Sequence, residues 1–225
     1  MPELQAVAPG LWVVEGSHSL LGVEIGRRMI VVELSDGSLQ LHSPVPIGAG
    51  LQESLARLGR VGAILAPTAF HDTFLAEVLP LFPEADFYAS PGLASVGRKP
   101  SDLREAPAFW REVLDWERIA GMPRVNEYVF LHKPSRTLLV SDLVFNVGPE
   151  ANAWTRWFFK MNGAFDCLRP TRLFRAMIRD RDAFRESVRR VMDWGFDRLI
   201  MSHGRIVESG AKDRLRAELL PAFRK

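Results

Sequence analysis

The chain has 225 residues, of which 47% are hydrophobic and 25% are charged, which is enough apolar material for a buried core. A formal net charge of +2 is too small to indicate a nucleic-acid-binding surface, and the single Cys167 excludes an internal disulfide. We find no signal-peptide pattern and no apolar run near the ~20 residues that cross a bilayer. We therefore expect a cytoplasmic protein with one domain over residues 1–225 and no nucleic-acid or membrane partner.

The hydrophobic pattern predicts two groups of strands, each followed by helices. Strands are predicted at 11–15, 29–34, 38–43, 61–66, 86–90, 126–131, 137–141 and 198–201. Helices are predicted over 50–58, 72–81 and 150–195, and from about residue 211. Asp36-Gly37 indicates a hairpin, because such a turn needs positive φ, and the Pro- and Gly-rich residues 91–109 are predicted to form a loop. The order favours an α+β fold with two packed sheets and outer helices.

Three predicted strands end in residues that carry chemistry. The strand at 61–66 leads to His71-Asp72, a later strand ends in Ser141-Asp142, and the last one ends in Ser202-His203-Gly204. Carboxylates and imidazoles delivered by three strand ends predict one shared site. Such a donor set suits Zn²⁺, Fe²⁺ or Mn²⁺.

The order of elements and these segments resemble the metallo-β-lactamase fold superfamily, in a branch with altered metal motifs. The resemblance covers most of the chain and implies a four-layer αββα sandwich. Members usually carry His-x-His-x-Asp-His after a strand, and this motif falls on residues 68–73. Thr68 and Phe70 stand where its first two histidines would be, and Thr73 stands at the last one. Asp72 matches the Asp of the motif, and His71 stands beside it.

Three further segments extend the resemblance. Met122 occupies the His position of the family's Gly-His-x-Pro-Gly turn. Ser141-Asp142 is similar to the family's Gly-Asp, whose Asp bridges two metals, and His203-Gly204 is similar to the last His-Gly pair. The resemblance thus implies that Asp72, Asp142 and His203 are metal ligands, which correspond to the second of the family's two metal sites. It also implies a site with one metal, in which His71 is a fourth ligand or an acid–base group.

The function implied by this resemblance is metal-dependent hydrolysis of a small molecule whose identity the sequence does not specify. One divalent metal, Zn, Fe or Mn, would activate water, and His71 and Asp72 are the candidate catalytic residues for proton transfer. The alternative is a non-catalytic protein of the same fold that has lost the metal and binds a small molecule or a protein partner. In that case Asp72 would cap the helix at 72–81, Asp142 would accept from backbone donors, and His203 would be a hydrogen-bonded loop residue.

Other features each allow a structural and a functional interpretation. His42 ends a predicted strand, where a surface histidine is the commoner explanation and a role in proton transfer is the alternative. His18 and His132 lie in or beside turns and are expected to be solvated. A predicted helix places Trp154, Trp157, Phe158 and Met161 on one face. We expect this face to pack in the core, with shaping of an apolar substrate pocket as the second interpretation.

Overall fold

Residues 3–20 and 22–222 are described by the computed structural model of the chain, and they form thirteen β-strands and seven α-helices. The strands are β1 (Leu4–Ala8), β2 (Leu11–Gly16), β3 (Ser19–Leu20), β4 (Val23–Glu24), β5 (Arg27–Glu33), β6 (Leu39–His42), β7 (Val61–Ala66), β8 (Asp86–Ala89), β9 (Ser101–Asp102), β10 (Leu114–Arg118), β11 (Tyr128–His132), β12 (Thr137–Val140) and β13 (Arg198–Met201). The helices are α1 (Ala49–Leu58), α2 (Leu75–Val78), α3 (Trp110–Val113), α4 (Ala153–Met161), α5 (Arg172–Ala176), α6 (Arg181–Met192) and α7 (Ala211–Ala222). Met1 and Pro2, which belong to the segment inspected for a signal peptide, lie outside the described residues.

The strands form two mixed sheets and a short separate hairpin. The larger sheet has the order β1-β2-β5-β6-β7-β8-β9 and is parallel from β6 onward. The smaller sheet has the order β10-β11-β12-β13, in which the last pair is parallel. β3 and β4 pair only with each other. The candidate residues therefore come from both sheets, because β7 lies in the larger sheet and β12 and β13 lie in the smaller one.

The two sheets pack face to face and each is covered by helices on its outer side. One buried cluster joins Ile30 and Val32 of β5 to Phe130 of β11 and Ile200 of β13. A second cluster joins the other face of the larger sheet to α1 and α2, and a third joins the smaller sheet to α6 and α7. In β5 the side chains alternate between the inter-sheet core and the helix side, as a period of two requires. This arrangement confirms the α+β αββα sandwich.

Local sequence patterns predicted several elements correctly. The Asp36-Gly37 hairpin joins β5 to β6, with Gly37 at φ 78°. The predicted helical region 150–195 divides into α4, α5 and α6, because Asn152, Thr171 and Asp180 each cap a new helix through the side chain. Five strands, β1, β3, β4, β9 and β10, lie outside the predicted strands. β10 is a partly exposed strand with alternating polar residues, and its pairing with β11 sustains it.

The predicted helix at 72–81 is wrong in extent. Residues before Leu75 form a turn-rich loop, α2 is only one turn long, and a 3-10 turn containing Pro80 follows it because proline cannot donate to a continuing helix. The N-cap residue of α2 is Phe74, and no side chain caps this end. The interpretation of Asp72 as a helix cap is therefore also wrong.

None of the helices in the described part of the chain combines the length and apolar character that crossing a bilayer requires. The one-domain organisation over residues 1–225 stays a prediction.

Candidate metal centre

The ends of three strands bring two imidazoles and one carboxylate together. His71 lies in the loop after β7, Asp142 follows β12 and His203 follows β13. The Nε2 atom of His71 lies 3.5 Å from one oxygen of Asp142, and the Nε2 atom of His203 lies 3.4 Å from the other. One ligand atom from each of the three buried residues lies within 4.8 Å of the others. Among the described residues, this is a group whose geometry could hold a metal ion.

Neighbouring groups orient both rings toward Asp142. Ser43 Oγ lies 2.5 Å from Nδ1 of His71, and Nδ1 of His203 donates to the carbonyl oxygen of Gly26 at 2.8 Å. These contacts leave Nε2 of each ring directed at the carboxylate. Thr68 donates its hydroxyl to Asp142 at 3.0 Å. Thus the residue at a family His position contacts the carboxylate instead of binding a cation.

The proton positions fit a cation between the three side chains. A carbonyl oxygen can only accept, so Nδ1 of His203 carries the hydrogen and Nε2 of the neutral ring is a lone pair. That lone pair faces a carboxylate oxygen that is also an acceptor. His71 Nε2 is buried without a hydrogen-bond partner. When Nδ1 of His71 donates to the Ser43 hydroxyl, its Nε2 offers a second lone pair. Two imidazole lone pairs and a carboxylate match the donor set of Zn²⁺ or Fe²⁺, so these residues fit the metal that the sequence implies.

The surroundings favour a neutral His71 beside an ionised Asp142. Burial lowers the pKa of His71 to about 4, although Asp142 acts in the opposite direction. Burial by itself would raise the pKa of Asp142, but His71 and His203 outweigh it and hold this pKa well below the usual value. Metal ligands must be in these forms, since only neutral imidazole and carboxylate have free lone pairs.

The backbone that carries Asp142 is held by a buried acid. Glu127 accepts from the N–H groups of Ser141 and Asp142 at 2.7 and 3.1 Å. Burial, and then the charge of Asp142, raise the pKa of Glu127 well above its ordinary value. On the opposite side, Arg28 donates to the carbonyl oxygens of Met201 and Gly204 and so braces the turn that carries His203.

Asp72 is placed differently from the other predicted ligands. It is half-buried and lines the same cavity as the three residues, but it is not among the atoms that meet within 4.8 Å. Its roles as ligand and as catalytic residue stay predictions. Phe70 is 46% exposed at the cavity, and Met122 is buried in the core under α6. Neither position of the family's motif carries a ligand here.

A cavity of about 510 Å³ opens onto the centre, a size typical of sites for small organic molecules. Its walls are mainly apolar and include Phe145, Phe158, Phe174 and Met177. Phe145 also stacks on His203, with ring centroids 5.6 Å apart. The cavity therefore combines one polar end with an apolar body.

The aromatic helix does not use the predicted face for packing. In α4, Phe159 and Thr155 are buried, whereas Trp154, Trp157 and Met161 are about half-exposed. The predicted core face is wrong, because Thr155 binds the backbone of Glu24 and this contact turns the helix. Phe158 and Phe159 line the cavity, in agreement with the second interpretation that the helix shapes a pocket.

The remaining histidines are not solvated surface residues. His42 and His132 are buried, in contact with Gln40 and Ser135 respectively, and His42 packs edge-on against Phe130. The predictions of a surface His42 and a solvated His132 are therefore wrong. His18 is half-buried and lines the cavity. Of these three residues, only His18 reaches the candidate site.

Sequence reasoning missed two residues at the site, Arg27 and Ser43. Arg27 begins β5 and lines the cavity, and Ser43 follows β6 with φ 52° and supports His71. The position of Ser43 could have been predicted, since it follows a strand that neighbours β7. The position of Arg27 could not, because nothing in its local sequence distinguishes it from the adjacent Arg28.

Comparisons with known proteins agree with this architecture. Residues 9–161 match the family model described as "Domain of unknown function (DUF4336)". No curated protein matches the chain in sequence.

Similarity to solved structures is extensive in shape and low in sequence. A metallo-β-lactamase from Pontibacter korlensis is 12% identical, with a TM-score of 0.65 over 96% of this chain and 98% of that chain. FIM-1 from Pseudomonas aeruginosa in its mono-zinc form is 10% identical, with a TM-score of 0.59 over 100% and 97%. The metal-soaked Flv1 flavodiiron core from Synechocystis sp. PCC6803 is 12% identical, with a TM-score of 0.63 over 96% of this chain and 59% of that chain. The chain therefore belongs to the DUF4336 family and has the metallo-β-lactamase fold.

Proposed function

We propose that the protein is a metal-dependent hydrolase whose single divalent metal is held by His71, Asp142 and His203. The observation that carries this proposal is the orientation of the two imidazoles. Their Nδ1 atoms are bound to Ser43 and Gly26, so both Nε2 atoms face one carboxylate. Without a cation, the Nε2 lone pair of His203 would be buried against a carboxylate oxygen that also only accepts, which is costly. The mono-zinc form of FIM-1 supports a one-metal centre in this fold.

Different residues of the chain would have different roles in the reaction. A divalent metal supplies Lewis acidity for hydrolysis. Thr68 and Glu127 hold Asp142, and the apolar side chains around the centre exclude bulk water. Asp72 is the candidate for proton transfer, because it is a half-buried carboxylic acid on the same cavity and outside the three-residue group.

The competing function is a binding protein without metal, which the apolar cavity walls favour. Metal content separates the two functions. We expect close to one equivalent of Zn, Fe or Mn in protein purified without chelator, and a clear loss in Asp142→Asn, which keeps the shape of the side chain and removes its charge.

The matched control is Asp72→Asn, which removes a carboxylate from the same cavity but leaves the three-residue group intact. It should keep the metal and lose hydrolytic activity. If wild-type protein holds only background metal after reconstitution with Zn²⁺, Fe²⁺ and Mn²⁺, the hydrolase proposal is wrong. A thermal shift on adding each ion provides the second measurement, should Asp142→Asn be poorly folded.

A further inference from the structure

Arg27 is a buried cation with unused hydrogen-bond donors. Its side chain is only 2% exposed and lines the cavity beside the metal centre. Its Nε and Nη2 atoms are buried and have no hydrogen-bond partner. Its guanidinium carbon lies 5.7 Å from the ring centroid of Phe74, which satisfies no N–H group.

The adjacent Arg28 has a structural role, with which Arg27 can be compared. Arg28, on the opposite face of β5, pairs with Glu15 and donates to the carbonyl oxygens of Met201 and Gly204. Arg27 has no comparable bonds among the described residues. Guanidinium stays charged in proteins, and burying an unpaired charge is costly. The fold therefore holds this cation in the cavity although Nε and Nη2 form no hydrogen bond within the described protein.

The two unpartnered nitrogens define the geometry of the missing partner. Nε and Nη2 lie on the same edge of the guanidinium, and their hydrogens form a fork that matches the two oxygens of a carboxylate. Asp142 does not fill this role, because its oxygens face His71, His203 and Thr68. Asp72, the other carboxylate that lines the cavity, attracts the guanidinium through its charge, but it accepts no hydrogen bond from Nε or Nη2. A ligand bound in the cavity would fill this role.

The rest of the cavity defines the body of that partner. Beyond the polar end, the walls are formed by Ile25, Phe145, Phe158, Leu173 and Met177. An apolar surface of this kind gains most from burying a hydrocarbon or aromatic group. We infer that the cavity binds an amphipathic organic carboxylate, with its anionic group on the Nε–Nη2 edge of Arg27 and its apolar body on these walls. As the substrate class of the enzyme this inference rests on the proposed hydrolase, but as a binding site it stands separately.

The test compares 4-phenylbutyrate with its neutral analogue 4-phenylbutyramide by calorimetric titration. Wild-type protein should bind the acid at least about tenfold more tightly than the amide, because a hydrogen-bonded charge pair in a buried site is stronger than the neutral contact that replaces it. Arg27→Gln should abolish this preference and leave the affinity for the amide unchanged. Arg27→Lys keeps the charge without the fork and should retain only part of the preference. The control is Arg189→Gln, which removes an exposed positive charge of α6 outside the cavity.

Equal binding of acid and amide by wild-type protein would overturn the inference, and so would an acid preference that survives Arg27→Gln. If Arg27→Gln fails to fold, the wild-type comparison and Arg27→Lys decide. Each titration is repeated after chelator treatment, with metal content measured in parallel. An Arg27-dependent preference in protein that never binds metal supports the carboxylate site and contradicts the hydrolase. Bound metal with a preference that ignores Arg27 supports the metal centre and contradicts this inference.

Discussion

Ser43 is the residue on which the orientation of His71 depends. Its hydroxyl lies 2.5 Å from Nδ1 of that ring, and its backbone has φ 52°, a conformation that glycine adopts without strain. Ser43→Gly therefore removes the hydroxyl without adding backbone strain. Since such supporting contacts typically change metal affinity by about 10–100-fold, we expect a loss in this range.

The measurement for Ser43→Gly is competition for Zn²⁺ with a chromophoric chelator, with urea unfolding as the control for stability. Ser43→Ala should lose the same affinity and be less stable than Ser43→Gly, because alanine keeps the Cβ that strains the backbone at positive φ. Wild-type affinity in Ser43→Gly would show that the hydroxyl does not orient the ring.

At the scale of the element, the turn after β13 determines where His203 lies. Gly204 has φ 92°, and a Cβ atom there would lie 2.5 Å from the carbonyl oxygen of Asn146. Gly204→Ala should therefore shift the turn, weaken metal binding and lower the free energy of unfolding by about 1–3 kcal/mol or more.

Gly37→Ala is the matched control for this prediction. Gly37 also has positive φ, but its added Cβ would meet nothing within 4 Å, and the residue lies in the β5–β6 hairpin. It should lose stability through backbone strain alone and keep the metal affinity of the wild type. Urea unfolding and Zn²⁺ titration of both variants provide the comparison. Equal metal affinities in the two variants would contradict the proposed role of the turn.

At the scale of the whole molecule, burial of histidines makes stability depend on pH. Burial lowers the pKa of His42 to about 3 and that of His132 to about 4, below the ordinary value of 6.5. The unfolded chain therefore binds more protons than the folded chain between pH 6.5 and about 4. Stability is fully present above pH 6.5 and falls as the pH decreases through this window.

The expected contribution of His132 is on the order of 3 kcal/mol, because a tenfold change in proton affinity corresponds to about 1.4 kcal/mol. His132→Asn keeps a polar group near Ser135 and removes the titration, so its urea midpoint should fall less than that of the wild type between pH 7 and 4. Identical pH dependence in the two proteins would show that His132 does not titrate in this window.

The sequence by itself determined the order of the central strands and of the longer helices, the β5–β6 hairpin and the strand ends that carry Asp142 and His203. These features follow from hydrophobic periodicity and turn chemistry, which act over a few residues. It also predicted that His71 is near a metal, although only beside the better-matching Asp72.

Only the tertiary structure decided which of His71 and Asp72 meets Asp142, and only it placed Arg27 in the cavity. The loop after β7 is held by backbone bonds from Ala69 to Val125 and from Tyr128 to Pro67, across many residues of sequence. Side-chain directions in such a loop have no period, so local patterns do not specify them. The same long-range packing buried His42 and His132 and turned the aromatic face of α4 toward solvent.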